Sequence, residues 1–585
     1  HWHRNPFTGA EVPDPERPWW RIPDFDASLG DIKTIWEASR FDWVLTFAQH
    51  ACLGEPEGLE RLNAWLADWV AHNPPYRGPN WKCGQEASIR VLHLAVAALL
   101  LGQIRRPTPA LVGLLVAHLR RIAPTLQYAI AQDNNHGTSE AAALFIGGTW
   151  LAALGEPTGV APGVMQVQAA TESRRWARLG RHWLENRAAR LIEVDGSFSQ
   201  YSVNYHRLML DTYSLVEHWR RCLELPAFSP RLHGRLAAAT RSLQAMTQPE
   251  TGDAPVLGAN DGAWLLPFGE SDYRDYRPAV QLATALFLDR RAYGGAADAG
   301  ASWNLPLRWL GIPVPTRPAE PPGAVQFDAG GYSLLRRGPA FALLRYPRFR
   351  FRPSQADALH VDLWVKGQNL LRDAGSFSYN MGDDWLRYFS GTAGHNTIQF
   401  DDRDQMPRLS RFLFGDWLRA EAVLSLTQVG DEAEAEVQAE DVAEAEAKTE
   451  ADAGTGAGTE TSRTLTTAAA YTDAQGARHR RQVWLATDRL RVEDEVFGFA
   501  SKAVLRWRLA PGDWRQAGDT VRRDDTGNAL RVTASVPIAR MELVQGWESR
   551  YYLQRVAVPV LEVEITQPGR LVSDYVFGPT DAEHP

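Results

Sequence analysis

The chain has 585 residues, 44% hydrophobic and 10% aromatic, which is the composition of a folded globular protein too long for one ordinary domain. Three cysteines (Cys52, Cys83 and Cys222) exclude a disulfide framework and offer no close pair for a Cys-based zinc site, so all three are read as buried thiols. The net charge of −8 is carried by one tract: residues 431–460 hold eleven acidic groups and one lysine, leaving about +2 for the rest, a near-neutral body that an acidic polymer can approach.

No apolar run approaches the ~18 residues of a membrane span, and no basic, aromatic-interleaved stripe suggests nucleic acid. The chain opens His-Trp-His-Arg-Asn-Pro, without a basic and apolar signal segment, which does not exclude export.

In chain order, the first half reads as helices. Leu59–Val70 and Ala87–Leu101 carry apolar residues at three- and four-residue spacing, and further helical patterns begin near Pro109, Ser139, Ala169, Tyr205, Pro230 and Pro278. Many helices on short connections predict an all-α layer, either a toroid of helical hairpins or a solenoid; no strict repeat of the common solenoid lengths is present. Between two of these patterns, Gln132–Glu140 crowds amides, an imidazole and carboxylates into one turn. Thr138 or Ser139 is expected to cap the helix that follows, holding Asn135 and His136 at its end. The bland alternative is a polar loop whose Asn and His satisfy backbone groups.

Asp195–His206 is the second cluster, an Asp-Gly turn running into a helix on which Tyr201 and Tyr205 would share a face. A tyrosine beside cationic groups can serve as general acid or base. Packing is the competing explanation.

Residues 311–325 are proline-rich and forbid a helix, marking a linker between a helical domain over 1–310 and a β domain over 326–585. Beyond it, Tyr332–Arg336, Phe341–Tyr346, Arg480–Leu485, Leu505–Leu509 and Leu561–Ile565 read as strands, and an antiparallel β-sandwich accommodates them. The acidic tract near 431–460 reads as a solvated insertion in a hairpin. Arg348, Arg350 and Arg352 alternate with Phe349 and Phe351, as on one side of a strand. They precede the Pro353–Trp364 and Asp373–Asn380 stretches and then Gly394-His395-Asn396-Thr397, whose His and Asp residues have no metal-motif spacing in themselves.

Together, Asn135-His136 with its small-residue helix, Asp195-Gly196 through Tyr205-His206, Asp373-Ala374-Gly375-Ser376 and Gly394–Thr397, in this order across the helix-to-strand boundary, resemble the heparinase II/III-like polysaccharide lyases. The resemblance covers most of the chain. It implies a multidomain protein with an incomplete α/α toroid followed by an antiparallel β-sandwich, and β-elimination on a uronic-acid-containing polysaccharide. By that resemblance Asn135 neutralises the uronate carboxylate and His136 assists or serves as base for one epimer. Tyr205 donates a proton to the leaving oxygen and can double as base, with Tyr201 the fallback. Where many relatives carry histidines just before the aspartate matched by Asp357, this chain has Pro353 and Gln355, so His360 is the candidate second base; where relatives carry Glu-Gln-Ser before the tyrosine, it reads Gln200-Tyr201-Ser202.

Gln85, Glu86, Asn134, Tyr201, Arg352, Gln355 and His395 are the expected contacts to an acidic polysaccharide. The chemistry requires no cofactor; a structural divalent metal, zinc or calcium, would use His360, Asp373 and His395. The resemblance also implies a periplasmic or secreted protein. Two other functions fit the same pattern: a toroid glycoside hydrolase using carboxylates among Glu86, Asp133, Asp195 and Asp261, and a non-catalytic glycan-binding or exopolysaccharide-assembly protein.

Overall fold

The computed structural model describes residues 2–23, 26, 28–154, 164–295, 298, 300–429 and 464–577. Chain contacts divide it into two compact units. The first comprises residues 1–321 together with 376–387 and 551–553; the second comprises 322–375, 388–550 and 554–585. A single cut at the proline-rich linker therefore does not separate them, because two short later segments pack within the helical unit.

That unit is built from helices that pack on one another in chain order. Asp42–Cys52 lies against Pro56–His72, Gly84–Leu100 against Asn135–Ala153, Asn135–Ala153 against Val164–Leu191, and Pro230–Met246 against Arg277–Leu288. Proline stands in the first turn of several of them (Pro56, Pro109, Pro230), where its missing N–H is no loss. Gly84–Leu100 and Asn135–Ala153 are buried on nearly every face, as central helices are. Small residues allow the closest approaches: a Cβ on Gly148 would sit 2.4 Å from the Ala177 amide, and one on Gly180 2.3 Å from that of Phe145. Cys52 and Cys222 are exposed and Cys83 half-buried, contrary to expectation. The two exposed thiols are the last residues of their helices, where the apolar stripe has run out. Among the described residues no helix is long and apolar enough to cross a membrane.

The second unit holds antiparallel sheets. Val325–Phe327, Tyr332–Arg337, Ala340–Arg345, Val361–Val365 and Gln368–Leu371 form a meander in sequence order. A larger sheet runs from Trp514–Ala517 to Glu421–Val429 with Gly569–Val576, Arg489–Phe497, Arg478–Leu485 and Thr464–Thr472 among its strands. A third joins Ile538–Glu548, Val556–Ile565, Ala503–Arg508 and Ile398–Phe400. One core collects the inward residues of all three, including Leu344 and Leu363, Val483 and Val492, and Leu505 and Val563, which is the interior of a sandwich. The acidic tract lies outside the described residues; the strands flanking it are neighbours, with Val429 opposite Thr464. Arg348, Arg350 and Arg352 are not on a regular strand. Only Arg348 makes a bridge, to Arg419, because Pro347 and Pro353 interrupt the ladder on both sides.

Candidate active site

The two polar clusters of the helical half are fastened to each other. Asn134, not Thr138 or Ser139, caps the helix Asn135–Ala153, its side-chain oxygen accepting the His136 amide at 3.0 Å. Asn135 and His136 therefore occupy the first helical turn, and Thr138 and Ser139 are interior. The Asn135 amide donates to Gln200 Oε1 (2.8 Å), and Ser199 Oγ donates to the Asp133 carbonyl (3.2 Å). Asp133 is held by Arg187 (2.9 Å) and Arg190 (2.6 Å) in a left-handed turn, φ 49°.

The next helix begins at Val203, so Tyr201 is not on it: Tyr201 sits in a left-handed turn (φ 50°), buried, and shares no helical face with Tyr205. The amide that Tyr201 would have contributed to the helix donates instead to Phe198. Ser202 is the cap, accepting the Tyr205 amide (3.1 Å) and donating through Oγ to the Ala259 carbonyl (2.6 Å). Gly258, at φ 71°, meets the Tyr201 carbonyl so closely that a Cβ would sit 2.1 Å from it. These contacts bring the 258–263 loop and Asp261 to the start of the tyrosine helix, where Asp261 accepts from the Ala263 amide (3.0 Å) and Asn204 Nδ2 (3.4 Å).

Tyr205 is the centre of this arrangement. Its hydroxyl lies 3.2 Å from that of Tyr379, which belongs to the 376–387 segment of the same unit. Burial, and then the Asp261 carboxylate, push the Tyr205 phenol well above its ordinary value, so its proton stays on at neutral pH. Burial also pushes Asp261 upward, but Lys33, Arg40, the Ala263 amide and His136 outweigh it and hold that carboxyl below the usual range. The result is a protonated phenol beside an ionised carboxylate, with cationic groups close by. His136, Asp261 and Tyr379 are each half-buried.

The other expected contacts divide. Glu86 is buried and bound through both oxygens by Arg40, at 2.7 Å each, so it is neutralised within the unit and not offered to a polymer. Gln85 is buried beside it. Arg352, in the second unit, is exposed. Gln355 is 2% exposed and donates to the Gly375 carbonyl (3.2 Å).

His360, the expected second base, and His395, an expected polymer contact, are fully buried in the second unit. They form a cluster with Asp373, one ligand atom from each lying within 4.8 Å of the others. His395 Nδ1 is 2.7 Å from Asp373 Oδ2, while Oδ1 accepts the Gly375 amide. Burial presses His395 down and Asp373 up, but their mutual attraction wins, raising the first and lowering the second. Arg481, itself paired with Asp494, donates to the carbonyls of Leu359 and Asn396 (2.7 and 2.6 Å) and so fixes both histidine segments. Nε2 of His395 is buried without a hydrogen-bond partner, and that of His360 faces the carboxylates of Asp362 (3.5 Å) and Asp373 (3.7 Å), an arrangement of donor atoms able to hold a cation. The Asn396 amide donates to His360 Nδ1 (3.0 Å).

Sequence reading missed Tyr379 as a partner of Tyr205, together with Asp31, Lys33, Arg40 and Tyr552, and weighed Asp261 only as a hydrolase carboxylate. Tyr379 stood in the Asp373–Asn380 stretch already singled out. Nothing local marked Asp31 or Tyr552, which meet across 521 residues.

Residues 319–556 match the family described as heparinase II/III-like, C-terminal, and the resemblance to the heparinase II/III-like polysaccharide lyases is borne out. Among solved structures, a heparinase III shares the fold with a TM-score of 0.64 at 15% identity, over 98% of this chain and 81% of that one. A second heparinase III gives 0.59 at 15% identity, over 97% and 81%. The heparan sulfate lyase HepC from Pedobacter heparinus gives 0.54 at 17% identity, over 96% and 78%. The fold is thus the toroid and β-sandwich of these proteins. No curated protein sequence matches the chain.

Proposed function

We propose that the chain cleaves a uronic-acid-containing polysaccharide by β-elimination, with Tyr205 as the proton donor. The observation that carries this reading is the Tyr205 hydroxyl held 3.2 Å from that of Tyr379, within the electrostatic reach of Asp261, which His136 also influences.

In the reaction, Asn135 hydrogen-bonds the uronate carboxylate and stabilises the charge that develops on it as the C5 proton leaves. That proton goes to His136. The electron pair of the broken C5–H bond forms the C4–C5 double bond, the C4–O bond breaks, and the departing glycosidic oxygen takes the Tyr205 proton. A phenol kept protonated by burial and a neighbouring carboxylate suits the acid role and leaves the base role to the imidazole. The hydrolase alternative needs a carboxylic acid with a raised pKa facing substrate. Glu86, Asp133 and Asp261 are instead held low, the first and last against burial by arginine or lysine, Asp133 chiefly by its bond from Arg190. The raised acids Glu140 and Asp211, at about 8 and about 7, are buried within helices.

His360, Asp373 and His395 are proposed to hold a structural divalent ion of the zinc type, which would cross-link the segments before the Val361–Val365 and Ile398–Phe400 strands. They take no part in the bond breaking.

The test is to incubate purified protein with heparan sulfate, hyaluronan, chondroitin and alginate and follow ultraviolet absorbance. A lyase leaves an absorbing unsaturated uronate on at least one polymer. New reducing ends without absorbance would transfer the site to hydrolysis, and neither signal would favour a binding protein.

A further inference from the structure

Asp31 is 1% exposed and lies just ahead of the short helix Lys33–Glu37. Its carboxylate accepts four hydrogen bonds. Oδ1 receives the Lys33 amide (3.0 Å) and Asn380 Nδ2 (2.7 Å); Oδ2 receives the Tyr552 hydroxyl (2.5 Å) and Ser378 Oγ (3.3 Å). Four donors occupy all the acceptor positions a carboxylate has. Three of them come from two segments that join the helical unit from far along the chain, 376–387 and 551–553.

The same groups hold Tyr379. Its amide donates to the Tyr552 hydroxyl (3.1 Å), and the two rings pack edge to face at 5.6 Å. Ser378 Oγ also accepts the Asn380 amide (3.1 Å), closing the turn around Tyr379. Leu553 donates its amide to the Phe377 carbonyl (2.8 Å), and Lys33 Nζ lies 4.9 Å from the centre of the Tyr552 ring. Tyr379 is therefore gripped on both sides by residues bound to Asp31, and its own hydroxyl is what meets Tyr205.

We infer that Asp31 is a positioning residue for the reaction: through Tyr552, Ser378 and Asn380 it sets the Tyr379 hydroxyl against Tyr205, where it donates a hydrogen bond to the phenolate left when Tyr205 gives up its proton. Tyr379 transfers no proton in this step; it stabilises the charge that appears on Tyr205 and is discharged when Tyr205 is reprotonated. The inference rests on the lyase reading.

The chemistry of the clamp explains why an isosteric change is informative. In Asp31→Asn one oxygen becomes an NH2 group. Placed at Oδ1 it would face two N–H donors that cannot accept. Placed at Oδ2 it forces the Tyr552 hydroxyl to turn its proton elsewhere, loosening the group that receives the Tyr379 amide.

The experiment is a double-mutant cycle on the intact chain with Asp31→Asn, Tyr552→Phe and Tyr379→Phe, separating kcat from KM. Asp31→Asn and Tyr552→Phe should each lower kcat, by up to about 10²-fold for a displaced catalytic group, at nearly unchanged KM. Neither should cost anything more once Tyr379 is Phe. An undiminished penalty in the Tyr379→Phe background, or full kcat in both single variants, overturns the inference. If the parent releases reducing ends without ultraviolet absorbance, the lyase reading fails, and the cycle is then run on reducing ends. A readout independent of turnover is the 19F resonance of 3-fluorotyrosine at position 379. It should move in Asp31→Asn and in Tyr552→Phe while the fold persists, and a parent-like resonance in both overturns the inference whatever the activity.

Discussion

Tyr205 in the helical unit and His395 in the β unit each face an aspartate, Asp261 and Asp373, yet the pairings differ in kind. His395 and Asp373 lie at 2.7 Å with no solvent exposure, and each brings the other toward its charged form. Tyr205 and Asp261 share only an electrostatic influence, which adds to burial, the larger cause, in keeping the phenol neutral. The first pair is closed on itself and contributes cohesion. In the proposed reaction the second leaves a proton on an oxygen from which a substrate would take it, beside groups that are half-buried. A buried polar cluster becomes a working site when one member stays available, and identity of residue type says little about which of the two it will be.

The largest effect should come from breaking the closed pair. Asp373→Asn leaves His395 and its surroundings uncompensated in the interior and should cost about 3–5 kcal/mol. Thermal melting should show a large fall in Tm or loss of soluble protein, and a variant melting like the parent would remove the structural role. Prolonged treatment with a chelator should lower Tm in the same direction if the cluster holds its ion, without changing kcat of the protein still folded.

The open pair should respond in rate rather than stability. Tyr205→Phe keeps the ring and its packing but removes the donor, so turnover should fall ~10²-fold or more with binding retained. Asn135→Ala should also lower turnover, as it withdraws the hydrogen bond to the developing carboxylate charge. Tyr201→Phe, off the helix and buried, is the mild control. Full activity in Tyr205→Phe on a polymer the parent cleaves would dissolve the contrast between the two clusters.

A finer effect is on the pH profile. The parent should show no alkaline loss of its acid below the ordinary tyrosine value of about 10. Asp261→Asn removes a negative charge that raises the phenol, so the phenolate becomes easier to form and the alkaline limb moves to lower pH. A limb that stays put or moves upward would show that Asp261 does not govern Tyr205. The smallest effect concerns the acidic tract: because Val429 and Thr464 are already opposite each other, replacing 430–463 by a short Gly/Ser turn should leave Tm and kcat nearly as they were.

Much of this was legible in the residues. Apolar spacing of three and four located Pro56–His72 and Gly84–Leu100, and alternation located Ala503–Arg508 and Val556–Ile565, since those periods are direct consequences of burying one face. Helix starts were less legible: Asn134 outcompeted Thr138 as a cap, and Tyr201 fell into a left-handed turn because Gly258 packs on its carbonyl. Arg348, Arg350 and Arg352 mimicked strand alternation between two prolines that prevent a ladder. The candidate site was legible only where its members are neighbours in sequence, as Asn135 and His136 are. Asp31, Tyr379 and Tyr552 converge through tertiary packing over hundreds of residues, and such convergence leaves no periodic or local trace.

That convergence also bears on synthesis. A ribosome delivers Asp31 early and Tyr552 more than five hundred residues later, so the nascent helical unit must wait with its carboxylate short of partners until almost all of the β strands have been made. A chain cut short before residue 551 lacks the hydroxyl that receives the Tyr379 amide. Prematurely terminated products would then lack the clamp on Tyr379, even though they carry Asn135, His136 and Tyr205 intact.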